Sequence, residues 1–245
     1  MADYAVFIWE TETLYNNYGT TPAERTQTYI EGAFDQTSYA VATYLFDPYP
    51  QMYEDDENES QWQYEQDVLD GKTDVSTPCK SGTTDYNGIG YYFMDWLRDC
   101  QGDRDSADFH VLLTAAESQA GHTIHWNDGS VCVVEGGPLI PDAPTSFTRY
   151  EPKDDSTAEG VAIDAIQTTH HELGHALIHD DEDAHVDHEM GAVTKYDGNY
   201  FWITPLGLNG GNENECGDKF NREDYRRWDL VWSDCCISDW ESDPG

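Results

Sequence analysis

At 245 residues the chain is sized for one hydrophobic core, with room for a small appendage. Apolar residues make up only 38%, but Trp, Tyr and Phe reach 13%, and such large side chains offset the scarcity of aliphatics. The balance of 49 acidic against 12 basic residues leaves a formal net charge of −37, which excludes nucleic acid and anionic membrane surfaces as partners by repulsion.

Met1-Ala2-Asp3 reads as a mature start from which any export signal or propeptide has been removed. Ala5 to Trp9 is a short apolar run of the kind a buried strand needs. Thr21-Pro22-Ala23-Glu24 supplies an N-cap hydroxyl, a proline in the first turn and a glutamate, opening a helix towards Phe34. Val41 to Phe46 is a second strand, closed by Asp47-Pro48. The acidic stretch Tyr53 to Ser60 reads as a solvated loop, in which Asp55, Asp56 and Glu57 are a candidate Ca²⁺ cluster because hard cations favour grouped carboxylates.

Tyr91 to Leu97 reads as an aromatic-rich helix between Gly88, Gly90 and Gly102, and Phe109 to Thr114 as a strand. Thr123 to Trp126 and Val131 to Val134 flank Asn127-Asp128-Gly129, whose residues tolerate a tight turn, so a hairpin is expected. Gly136 to Asp155 shows no period and reads as a long connection bordering a cleft. Ser156 with Glu159 reads as a capping box. Val161, Ala162, Ala165, Ile166, Thr169, Leu173, Ala176 and Leu177 then recur at helical spacing, giving a helix over 157–179. Its apolar stripe fastens it to a sheet and leaves another face for chemistry.

That other face carries His171-Glu172-Leu173-Gly174-His175. Histidines four apart share a helix face, so His171 and His175 can hold one tetrahedral Zn²⁺ at about 2.0–2.1 Å, and Glu172 can take a proton from a water at the metal. Chance could place the five residues on a polar helix. Against that, the helix is expected independently, Gly174 leaves room beside the ligands, and six of the nine histidines lie between positions 170 and 188. His179 lies about 12 Å along the axis from His171, too far for the same ion. His170 points about 100° away around the helix.

His171 to Leu177 resembles the active-site helix of the metzincins, within the zincin superfamily of metalloproteases. The family's pattern puts a glycine where this chain has Ile178 and the third ligand where it has Asp181. Without that glycine an extended site is favoured, with His188 in Asp187-His188-Glu189-Met190-Gly191 as third ligand and Asp181 and His185 as alternatives. The resemblance implies a methionine-bearing turn under the metal. Met190 supplies it if Asp181 ligates, and 203–207, with Leu206 replacing the methionine, if His188 does. Tyr196 or Tyr200 is a candidate oxyanion stabiliser.

The resemblance implies an α+β fold: a mixed twisted sheet packed on the active-site helix, with an irregular C-terminal subdomain. One catalytic domain spans 1–245, divided into 1–180 and 181–245. The family's edge strand binds peptide by β-augmentation, a wall that the strands from Phe109 to Val134 would form. Six cysteines without a CxxC pair read as disulfides and an oxidising, extracellular location, with Cys216 joined to Cys235 or Cys236 in the tail. The acids are spread along the chain and Lys is scarce, a composition that resembles haloarchaeal proteins, in which molar salt screens self-repulsion. The expected function is a secreted, salt-adapted, monomeric zinc endopeptidase acting on peptides or proteins through a water activated by Glu172. The alternative is a zincin-fold protein that binds zinc and a partner without cleaving it.

Overall fold

A computed structural model describes residues 2–46, 74–75, 79, 84–85, 88–102, 107–116, 120–126, 129–152, 156–177, 193–196, 200–206 and 225–242. Asp55, Asp56, Glu57, Asn127, Asp128, His179, Asp181, His185, His188, Met190, Gly207 and Cys216 lie outside them. The architecture is α+β around a mostly parallel sheet. Its strands are β1 (Tyr4–Glu10), β2 (Val41–Leu45), β5 (Phe109–Leu113), β6 (Gly121–Trp126) and β7 (Gly129–Val134), in the order β2-β1-β5-β7-β6. All neighbours run parallel except β6, which returns antiparallel along β7 as the expected hairpin.

Parallel strands covered on both faces read as continuous apolar runs, and β1 and β7 do so. Val6, Ile8, Val111, Leu113, Cys132 and Val134 face helices α2 (Thr21–Phe34) and α4 (Ala158–Leu177). Phe7, Trp9, Leu112, Val131 and Val133 face the opposite way, onto helix α3 (Ile89–Trp96). Helix α3 passes into a π-helical turn over Leu97–Gln101 and stops at Gly102, whose φ of 69° suits a residue without a Cβ. Each large aliphatic buried in these layers contributes about 1.5–3 kcal/mol.

A second sheet has the order β8-β11-β10-β9, built from β8 (Tyr150–Pro152), β9 (Val193–Tyr196), β10 (Tyr200–Ile203) and β11 (Tyr225–Asp229). The long connection over 136–155 thus contains a strand, as well as a 3₁₀ turn at Ile140–Asp142, neither of which its composition announces. β8 pairs with β11, so both parts of the chain contribute to this sheet. Strands β3 (Asp74–Val75) and β4 (Thr84–Asp85) form a small antiparallel pair.

Two helix starts differ from expectation by one residue. Thr20, not Thr21, holds the N-cap position of α2, and its hydroxyl donates to Glu24 Oε1 at 2.8 Å. At α4 it is the Thr157 hydroxyl that accepts from the Gly160 amide, at 3.0 Å, where Ser156 had been expected to cap. Helix α1 (Glu12–Tyr18), absent from the sequence reading, begins at Thr11, whose side chain accepts from the Leu14 amide. The C-terminal helix α5 is Asp234–Ser242.

A disulfide joins Cys79 and Cys100, whose Cα atoms are 5.2 Å apart, and Cys235 is also disulfide-bonded. Cys132 and Cys236 are buried and not disulfide-bonded, so of the two alternatives in the tail Cys235 and not Cys236 is the bridged residue. Burial rewards a thiol as a small apolar group, and the even cysteine count gave no sign of that. Among the described residues no helix is long and apolar enough to cross a membrane.

Candidate metal centre

Helix α4 is buried on nearly every side. Val161, Thr168, His171 and His175 are half-buried, and their spacing of seven, three and four makes them one stripe along the helix. On it the two imidazoles converge: His171 Nε2 and His175 Nε2 are 3.1 Å apart, with the rings at 84° to one another. The second nitrogen of His171 is fixed, because Nδ1 lies 2.6 Å from the Pro205 carbonyl oxygen, which can only accept. Nδ1 therefore carries the proton and Nε2 presents its lone pair towards His175.

These atoms fit a metal ion. With bonds of about 2.05 Å, a 3.1 Å separation corresponds to an N–metal–N angle of about 98°, close to the tetrahedral value of about 109°. A backbone carbonyl holding the far nitrogen of a ligating histidine is the outer support such sites use. Among the described residues no third His, Cys, Asp or Glu joins the pair, and the third-ligand candidates Asp181, His185 and His188 lie outside them. Tyr196 and Tyr200 are register partners at the connected end of the antiparallel β9–β10 pair.

Pro205 belongs to the buried segment Ile203-Thr204-Pro205-Leu206, which leaves β10 and presses on α4. Its carbonyl also accepts from Gln167 Nε2 at 3.1 Å. The motif led to the expectation that Gly174 leaves room beside the two histidines, and the structure shows the space filled. A Cβ there would lie 2.9 Å from both Leu206 Cγ and Trp232 Nε1, so the glycine lets this segment and the Trp232 indole approach the helix. His170, as expected, turns away from the pair. Its Nδ1 donates to the Leu230 carbonyl at 2.9 Å, and the Trp232 indole donates to the His170 carbonyl at 3.0 Å.

Glu172 points from α4 to the edge strand β6 and is 5% exposed. The Thr123 hydroxyl lies 2.9 Å from Glu172 Oε2 and 2.8 Å from the Glu172 carbonyl oxygen. Burial pushes the carboxyl up to about 7, opposed by the Thr123 hydrogen bond and by His175. A carboxyl of this kind exchanges a proton near neutrality, as a general base requires. Cys132 Sγ, held well above the usual thiol range by burial and by the nearby Glu172, lies 3.4 Å from the same Glu172 carbonyl.

The sequence reading located the histidines and the glutamate but missed Thr123, Gly121 and the Pro205 carbonyl. Gly121 carried a usable signal, since glycine within a strand marks close approach by another group. A backbone carbonyl carries none. No family model, curated protein or solved structure matches the chain.

Proposed function

We propose that the chain is a zinc-dependent endopeptidase of zincin type. The observation that carries this reading is the convergence of His171 Nε2 and His175 Nε2 at 3.1 Å, with Glu172 between them in sequence and buried at the sheet edge. His171 and His175 would hold the zinc, completed by Asp181, His185 or His188. When bound, zinc supplies a Lewis acid that makes a water nucleophilic near neutral pH.

The chain supplies the remaining steps. The Glu172 carboxylate takes a proton from the attacking water and returns it to the leaving amine. The Pro205 carbonyl keeps His171 in the Nδ1–H tautomer. Among the described residues β6 has a strand neighbour on one side only, so its free edge offers backbone donors and acceptors to an extended peptide, as the family resemblance implies. The order β1, α1 and α2, β2, an insert carrying α3, β5, the β6–β7 hairpin, β8 and α4 supports the zincin reading, and the packing of 203–206 on the helix suits it if His188 is the third ligand. Secretion and salt adaptation belong to the same proposal, supported by the disulfides and by the charge of −37. Peptide or protein is the substrate class.

The test compares tightly bound zinc and casein hydrolysis in concentrated salt for the parent, Glu172→Ala and His175→Ala. The parent is expected to hold one zinc and cleave. Glu172→Ala should keep zinc and lose about 10²- to 10⁴-fold in rate, and His175→Ala should lose the metal. Zinc without cleavage in the parent would favour a binding protein, and a parent without zinc would end the proposal.

A further inference from the structure

We propose that Thr123 is a positioning residue for the general base, clamping Glu172 to the edge strand in a cradle opened by Gly121; the proposal rests on the peptidase reading above. Residues 121 and 123 are two apart on β6 and share the face turned to α4. The Thr123 hydroxyl reaches two acceptors of one residue, the Glu172 carbonyl oxygen at 2.8 Å and Oε2 at 2.9 Å. The carbonyl belongs to the helix backbone, so the hydroxyl relates the carboxylate to a fixed point on α4. Gly121 forms the opposite wall. A Cβ at that position would lie 2.6 Å from Glu172 Cγ, 2.9 Å from Oε1 and 2.9 Å from the Val133 carbonyl oxygen, so any side chain there displaces the carboxylate.

The cradle is tied into the sheet by register. Thr123 faces Cys132 across β6 and β7, and Cys132 Sγ approaches the same Glu172 carbonyl at 3.4 Å. Hydroxyl and thiol from adjacent strands thus meet one carbonyl of the helix. A glutamate has three side-chain torsions, and a base misplaced by about 1 Å loses on the order of a hundredfold in rate. Burial alone narrows that freedom; the clamp sets which way the oxygens point. The strand proposed to receive the peptide is the strand that holds the base, so docking and base orientation are mechanically linked.

The test uses the full chain in concentrated salt with Thr123→Val, which removes the hydroxyl at nearly constant shape, and Thr123→Ser, which restores it. Thr123→Ala replaces the valine variant in every comparison should that variant not fold. With zinc bound, Thr123→Val should cleave casein with kcat lowered about ten- to a hundredfold and KM within about twofold, and Thr123→Ser should return to within about threefold of the parent. Independently of activity, the carboxyl infrared band assigned by its loss in Glu172→Gln should shift in metal-free Thr123→Val and return in Thr123→Ser. A valine variant with parental kcat, or an unshifted band, overturns the clamp. If the parent itself does not cleave, the peptidase reading fails while the infrared comparison still decides whether Thr123 holds Glu172.

Discussion

Glu10 and His170 are buried titratable side chains whose effects on stability run in opposite directions with pH. Glu10 Oε1 accepts from the Ala23 amide at the start of α2, at 2.9 Å, while Oε2 has no hydrogen-bond partner among the described residues. Burial pushes this carboxyl up to about 7, so the folded protein holds the proton more tightly than the unfolded chain. The resulting stabilisation is fully present below about 4.5 and is lost as pH rises through about 7. Glu10→Gln keeps the bond to Ala23 and should erase that loss, gaining about 2–3 kcal/mol over the parent at pH 8 relative to pH 4.5 in urea titrations. His170, pushed down to about 4 by burial, contributes stability that is present above about 6.5 and lost as pH falls through about 4. Gly174→Ala should be destabilising by about 1 kcal/mol in the same assay, because crowding against Leu206 and Trp232 outweighs the helical preference of alanine. At this scale the convergence of His171 and His175 on one helix face was legible from spacing alone. Thr123 was not, because its partner lies 49 residues away and a strand hydroxyl looks like any other.

Among the elements, β8 and β11 are joined by more than their ladder. Arg149 Nε and Nη2 each donate to an Asp229 carboxylate oxygen at 2.8 Å, and Asp229 Oδ1 also accepts from the Val231 amide. Arg149 is 38% exposed whereas Asp229 is buried, so solvent weakens the attraction without rehydrating the acid. Arg149→Met should cost about 1–3 kcal/mol, and adding Asp229→Asn should recover part of it, read from urea midpoints in concentrated salt. Elements with a strong period were legible. β1, β5, the β6–β7 hairpin and α4 all fall where apolar spacing puts them, give or take two residues. Helix α1 was hidden because Tyr15-Asn16-Asn17-Tyr18 lacks an apolar stripe, and β8 because three residues ending in Pro152 carry no alternation. Both are defined by their neighbours, which a local pattern does not record.

At the scale of the whole molecule, a net charge of −37 opposes compaction, and the central sheet resists it with two apolar layers. Concentrated salt shortens the Debye length to about 3 Å at 1 M and leaves only near neighbours to repel. Circular dichroism during dialysis from molar salt to dilute buffer should therefore show unfolding even with the disulfides intact, and undiminished stability in dilute buffer would remove the salt-adapted reading. One feature of the centre also sets an order in time. Pro205, whose carbonyl orients His171, lies 34 residues further along the chain, and Trp232, packed against Gly174, follows later still. On a ribosome the histidine pair therefore emerges before the backbone that aims it. A growing chain presents His171 and His175 as two loosely oriented imidazoles, and they reach their 3.1 Å convergence only when the segment after β10 has packed on the helix.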